Sequence, residues 1–68
     1  MEESPELRLL FHRLNNQLGI ILAHGELLEA KADDINRPRA TQLVTSTLEA
    51  METAREIRRQ VMPTPDGP

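Results

Sequence analysis

The sequence predicts an all-α protein, an antiparallel helical hairpin that pairs with a second copy to form a homodimeric four-helix bundle. Apolar residues recur at alternating steps of three and four along two long segments, which is the heptad pattern of packed helices. A proline and a polar run separate the two segments. The apolar residues are Leu, Ile, Val, Ala and Met, with one phenylalanine among 68 residues, a composition that suits helices better than a sheet.

The first helix is predicted over about residues 5–31. Ser4 can cap it, Pro5 suits its first position, and Glu6 favours the positive end of the helix dipole. The residues at the heptad steps are, in order, Leu7, Phe11, Leu14, Leu18, Ile21, Gly25 and Leu28. The stripe is wider than a two-stranded seam, as expected of a helix that faces several others. The residues that widen it are Leu10, Leu22 and Leu27.

The second helix is predicted over about residues 37–61, with Asn36 as its cap. Pro38 within one continuous helix would cost about 3 kcal/mol, so a break before it is favoured. The heptad residues are Ala40, Leu43, Thr47, Ala50, Ala54, Ile57 and Val61, flanked by Val44, Leu48 and Met51. The Thr47 hydroxyl can bond to a carbonyl one turn back. The hairpin domain thus spans residues 1–62, and residues 63–68 are predicted to be a disordered tail.

A chain this short rarely buries enough apolar surface to be stable without disulfides, a metal or oligomerisation. It contains no cysteine and only two histidines, so disulfides and a structural metal site are not expected. Oligomerisation remains, and two hairpins packed together would cover both apolar stripes. The predicted dimer core comprises Leu7, Phe11, Leu14, Leu18, Ile21, Leu28, Leu43, Ala50, Ala54, Ile57 and Val61.

The charge pattern narrows the classes of partner. The net charge is -3, which argues against nucleic acid. No apolar run approaches the ~20 residues of a membrane span, and the acidic N-terminus lacks the layout of a signal peptide. We therefore expect a cytoplasmic protein with no cofactor in this chain.

A polar group interrupts the first helix near its start. Arg8, His12 and Asn16 are spaced by four residues, so they form a row along one side of the helix. The small residues Gly19 and Ala23 continue that side and leave a shallow surface that another protein could approach. These residues are candidates for a binding surface centred on His12.

Two neighbours complete the candidate site, Arg13 and Asn15. A neutral imidazole nitrogen can attack phosphoryl groups, and flanking arginines attract them. No serine, cysteine or carboxylate partner of a catalytic triad is evident near His12. The alternative interpretation, that His12 is an ordinary surface histidine, stays open. Adjacent asparagines in mid-helix are unfavourable by propensity, which marks the segment as a candidate for function.

The other polar residues predict less. His24 is interpreted as a solvated surface residue. The charges of the second helix are interpreted as a solvated face with pairs such as Glu52 and Arg55, some of which could line a docking surface. They are Glu49, Glu52, Arg55, Glu56, Arg58 and Arg59.

Residues 12–28 resemble the phosphoacceptor box of sensor histidine kinases, which commonly reads His-(Asp/Glu)-x-Asn-Asn-x-Leu-x-x-Ile-x-x-x-x-Glu-Leu-Leu. The matching residues are His12, Asn15, Asn16, Leu18, Ile21, Glu26, Leu27 and Leu28. The predicted hairpin is similar to the dimerisation and histidine-phosphotransfer domain of that family, an antiparallel helical pair that dimerises into a four-helix bundle. The resemblance covers nearly the whole chain.

The resemblance implies roles for two residues. His12 falls at the phosphoacceptor position. Asn16 falls where the family places a Thr or Asn that orients the water for dephosphorylating a response regulator. The surface below His12 is where the family docks a receiver domain.

Two departures limit what the resemblance implies. Arg13 stands where the family has an acidic residue that helps take the imidazole proton, and arginine cannot accept a proton. No Gly-rich loop or Asn/Asp/Gly box of an ATP-binding domain is present in these 68 residues. We therefore expect no complete kinase, but at most a phosphotransferase or phosphatase, similar to the sporulation phosphotransferases. The His-x-x-Lys-Gly box of monomeric phosphotransfer domains is absent.

Three functions remain open. The first is a two-component signalling module that docks receiver domains and acts through His12 or Asn16. The second is a non-catalytic binding module, derived from a histidine kinase, that sequesters a regulator or pairs with a kinase or its ATP-binding domain. The third is a structural helical dimer in which the His-Asn-Asn group is incidental.

Overall fold

The computed structural model describes residues 4–61, which form two helices that pack against each other. Helix α1 runs over Pro5–Lys31 and helix α2 over Arg37–Val61. These bounds confirm the predicted helices, and each helix is roughly 40 Å long. The predicted tail at residues 63–68 lies outside the described residues.

The N-terminus of α1 is capped as predicted. Ser4 has an extended backbone and its side-chain oxygen accepts a hydrogen bond from the backbone N–H of Leu7 at 3.2 Å. Pro5 occupies the first turn, where its missing N–H has no intrahelical partner to lose. The sequence signal therefore fixes where α1 begins.

The cap of α2 differs from the prediction. Asn36 does precede the first helical residue, and its carbonyl accepts from the backbone N–H of Ala40 at 3.0 Å. Its side chain, however, donates from Nδ2 to Asp33 Oδ1 at 3.0 Å. The same Asp33 oxygen accepts the backbone N–H of Asn36 at 2.8 Å. The side-chain acceptor at the start of α2 is therefore Asp33, and the side chain of Asn36 acts as a donor.

The two helices meet along a narrow line of mostly small side chains. Within residues 4–61, only Gly25, Ala40 and Thr47 are buried. The hydroxyl of Thr47 donates to the carbonyl of Leu43 at 2.8 Å, which confirms the predicted bond one turn back. Half-buried apolar side chains beside this line include Leu7, Phe11, Leu18, Leu22, Val44, Met51 and Ala54.

A hydrogen bond between side chains ties the helices near the connection. Thr41 of α2 donates from Oγ1 to Glu29 Oε2 of α1 at 2.6 Å. Together with the contact of Gly25 with Leu43 and Val44, this bond shows an antiparallel pairing in which residues near the end of α1 face residues near the start of α2.

The seam predicted from the heptads divides into two parts. One part lies at the contact between the helices. The other part remains exposed on a single helical pair and comprises Leu14, Ile21, Leu28, Leu43, Ala50, Ile57 and Val61. Four of them, Leu14, Ile21, Leu43 and Ala50, precede a half-buried apolar contact residue by one or four positions. The other three, Leu28, Ile57 and Val61, continue the same two stripes at seven or eleven residues' distance. In an antiparallel pair that displacement places both sets on the same side, which we call the open apolar face.

Neither helix could cross a membrane on the criteria of length and hydropathy, as far as the described residues extend. Over the same residues, no group of three or more His, Cys, Asp or Glu side chains could hold a metal ion.

Candidate functional site

His12 is exposed on the third turn of α1, on the side away from the open apolar face. Its neighbour Phe11 is half-buried towards α2. The heptad pattern dictates this arrangement, because a residue one step beyond a seam position projects from the flank of the helix. The imidazole is therefore accessible to another molecule.

An open groove runs between the helices beside His12, and we call it the His12 groove. Its α1 side is lined by Arg8, Leu9, Phe11, His12 and Asn15, and its α2 side by Met51, Ala54, Arg55 and Arg58. Half-buried Phe11, Met51 and Ala54 form its apolar floor, and the exposed polar residues form its rim. Both helices thus contribute to the surroundings of the histidine.

The rim of the groove is strongly basic although the whole chain carries a net charge of -3. Three arginines line it, and no carboxylate is among its lining residues. Arg55 pairs with Glu52 at 3.1 Å, which confirms the predicted pair. Both side chains are more than half exposed, so this ion pair is weak and Arg55 can turn towards an anion.

A second surface lies on the outer side of α1, away from α2. Its lining residues are Glu6, Leu9, Leu10, His12, Arg13 and Asn16. His12 borders both this outer surface and the groove. The two asparagines are divided between them, Asn15 lining the groove and Asn16 the outer surface.

The residues of the predicted row on α1 are distributed over the groove and the outer surface. Arg8 and His12 line the groove together, whereas Asn16 lies on the outer surface with Arg13. Gly19 and Ala23 line neither surface. A Cβ atom at Gly19 would meet nothing within 4 Å, so a side chain would have room there.

Sequence reasoning missed Arg55 and Arg58 as neighbours of His12. A signal existed, because the helices are antiparallel and joined by a short connection. Gly25 faces Val44, so a pair of facing residues has numbers that add to nearly 70. That register places residues 55–58 opposite His12. His24 is exposed and lines neither surface, as predicted for a solvated residue.

The arrangement suits chemistry on an anionic group. An exposed imidazole nitrogen can attack a phosphoryl group, and guanidinium groups bind its oxygens in a fork geometry. The amide of Asn16 can donate to or accept from a water one turn further along α1.

Comparison of the chain with protein-family models, with curated proteins and with solved structures gives no match.

Proposed function

We propose that the chain is a two-component signalling module that docks receiver domains of response regulators over His12. It either exchanges a phosphoryl group with the receiver through His12 or promotes the receiver's dephosphorylation with Asn16. The observation that carries the proposal is the exposed His12 beside an arginine-lined groove, in a segment that resembles a phosphoacceptor box.

Accessibility supports the phosphoacceptor role of His12. The imidazole borders the groove on one side and the outer surface on the other, so a partner can approach it from either side of α1. A histidine that only completed the contact between the helices would be buried instead. The basic rim offsets the negative charge of a phosphoryl group at this position.

Asn16 supports the dephosphorylation branch of the proposal. It is exposed, lies one turn after His12, and borders the same outer surface. An amide there can hold a water against an aspartyl phosphate presented to His12. This branch requires no nucleophilic attack by the histidine.

Arg13 decides the source of the phosphoryl group in this proposal. It stands at the position where the family has an acid, and arginine cannot accept the imidazole proton. The phosphoryl group would then come from a receiver domain and not from ATP. The proposal includes the cytoplasmic location predicted from the sequence, where the chain would meet receiver domains.

The proposed assembly is a homodimeric four-helix bundle in which the open apolar face meets the same face of a second copy. Only three of residues 4–61 are buried in one hairpin, which is too little to hold two long helices together. The open face joins both helices and adjoins their contact line, so a two-fold pairing would extend that line into a core. The His12 groove lies on the opposite side and would stay accessible.

One observation favours a second function. Because Arg13 cannot accept a proton, the hairpin could bind a regulator or a kinase without chemistry at His12. In that case the module would sequester its partner.

Receiver domains from the source organism, phosphorylated on aspartate with labelled phosphate, test the proposal. Each is mixed with the wild-type protein, with His12→Ala and with Asn16→Ala. Label on His12 would support phosphotransfer, and label released as free phosphate in an Asn16-dependent way would support dephosphorylation. Binding without either reaction would favour the sequestering module. No binding by any receiver would contradict the signalling module and the sequestration of a regulator, and would leave kinase binding as the function to test.

A further inference from the structure

We propose that Arg55 and Arg58 of α2 form an anion site that holds a phosphoryl group against His12 of α1. The site belongs to the chemical class of phosphate monoesters and phosphoramidates. This inference deepens the proposed function and rests on His12 as the phosphoacceptor. It assigns a positioning role to residues outside the segment that carries the resemblance.

Geometry is the first support. Arg55 and Arg58 are three residues apart on α2, so their side chains leave the helix on one side. Both line the His12 groove, with the half-buried Ala54 beside them. The histidine and the two guanidinium groups come from different helices, so the folded hairpin is what brings them together.

The ion pairs of α2 are the second support. Arg59 donates to Glu56 at 2.7 Å, and Gln60 also donates to that carboxylate, so Arg59 is engaged outside the groove. Arg55 has the exposed pair with Glu52, whereas Arg58 makes no ion pair within residues 4–61. Among these three arginines of α2, Arg58 thus has no ion pair within residues 4–61, and the pair of Arg55 is longer than that of Arg59.

Stabilisation of the C-terminal end of α2 does not explain why Arg55 and Arg58, and not Arg59, border the groove. Cations in the last turn interact favourably with the helix dipole wherever they lie around the axis. Arg58 and Arg59 would serve that role equally. Arg55 lies before the last turn and yet borders the groove with Arg58, which points to a ligand and not to the helix end.

The first experiment is a titration of the full chain with inorganic phosphate, followed by the NMR signals of the two imidazoles. His12 should shift with phosphate and His24 should not. Arg58→Gln and Arg55→Gln should each weaken the apparent affinity at least about fivefold, as expected for the loss of a charge-assisted bond. Arg58→Lys should retain part of the binding because it keeps the charge without the fork.

Arg59→Gln is the matched control, since it removes the same charge from the same turn of α2 outside the groove. Circular dichroism shows whether each variant keeps its helices. The proposal is overturned if His12 and His24 shift alike, or if Arg59→Gln weakens binding as much as Arg58→Gln.

The second experiment separates positioning from binding and uses phosphoramidate as the phosphoryl donor. A His12 nitrogen forms a bond to phosphorus as the donor's P–N bond breaks, ammonia leaves with the electron pair, and the imidazole releases its proton to the buffer. Arg58→Gln should slow phosphorylation of His12 at least about fivefold, with Arg59→Gln unchanged. Equal rates in all three proteins would remove the positioning role.

Neither experiment uses a receiver domain, so the two proposals fail separately. Phosphate binding that depends on Arg55 and Arg58, without exchange with any receiver, would leave the anion site standing and contradict the proposed function. Phosphoryl exchange with a receiver at a rate that Arg58→Gln does not change would support the proposed function and contradict the anion site.

Discussion

Gly25 of α1 lies so close to Val44 of α2 that a Cβ atom on Gly25 would stand 3.3 Å from Val44 Cγ2. The Cγ atom of Leu43 would be 3.4 Å away. The distance to Val44 is tighter than ordinary van der Waals packing and the distance to Leu43 is at its lower limit, so the missing side chain at Gly25 allows the helices to approach closely. Gly19, six residues earlier, has no such neighbour within 4 Å.

The two glycines therefore predict different effects of the same substitution on stability. Gly19→Ala should raise the free energy of unfolding by about 0.5–1 kcal/mol, because alanine is the better helix former and nothing obstructs its methyl group. Gly25→Ala should fall short of that gain by at least about 0.5 kcal/mol, since Val44 must shift to admit the methyl group.

Urea denaturation followed by circular dichroism measures both variants. Protein concentration is held equal because the stability of an oligomer depends on it. Equal stabilisation by the two substitutions would contradict the close approach at Gly25.

The connection between the helices offers a second matched pair. Asp33→Ala removes the acceptor of the Asn36 backbone N–H and should lower the free energy of unfolding by about 1 kcal/mol, as loss of a cap does. Asp34→Ala breaks only an exposed 3.5 Å ion pair with Arg37 and should leave stability unchanged. Thermal melts of both variants check this, and an equal loss in each would show that Asp33 is not the capping residue.

The sequence predicts the helices well because their signals are local. Ser4 and Pro5 mark one start, Pro38 marks the other, and heptad steps run between them. The cap of α2 escaped prediction because Asp33 and Asn36 are both good caps, and only the turn geometry selects between them. Propensity alone does not rank two acceptors three residues apart.

The division of the heptad seam is harder to predict. Ile21 and Leu22 are adjacent apolar residues on the stripe, yet Leu22 is half-buried towards α2 and Ile21 is exposed. Only the rotation of each helix about its axis decides this, and the rotation depends on close contacts such as that at Gly25. Arg58 was missed for the related reason that its proximity to His12 depends on the register of the two helices.

The open apolar face predicts the assembly state. Ile21→Asp places a charge on that face and should give monomeric protein that has lost its helical signal at micromolar concentration. Ile20→Asp is the control, because Ile20 is 59% exposed and lies on the outer side of α1. That variant should remain helical and dimeric, and Leu14→Asp should behave like Ile21→Asp.

Light scattering and circular dichroism measure mass and helix content in the same samples. A folded wild-type monomer at micromolar concentration would refute the dimer. Loss of the dimer in Ile20→Asp as well would place the interface on a different face.

Replacing Arg13 by an acidic residue should increase the phosphorylation of His12. Arg13 lines the outer surface with His12, where the family's acid would take the imidazole proton. Arg13→Asp should therefore raise the phosphorylation of His12 by a separately supplied kinase ATP-binding domain and ATP, by at least about tenfold, below the usual contribution of a general base. Labelled phosphate retained on the protein measures the rate, with His12→Ala as the blank.

Arg13→Gln separates the two properties of the residue, because it removes the positive charge without supplying a proton acceptor. A gain in Arg13→Asp alone would identify proton removal as the missing function, an equal gain in both variants would identify repulsion by the arginine, and no gain in either would show that Arg13 does not prevent phosphorylation by ATP.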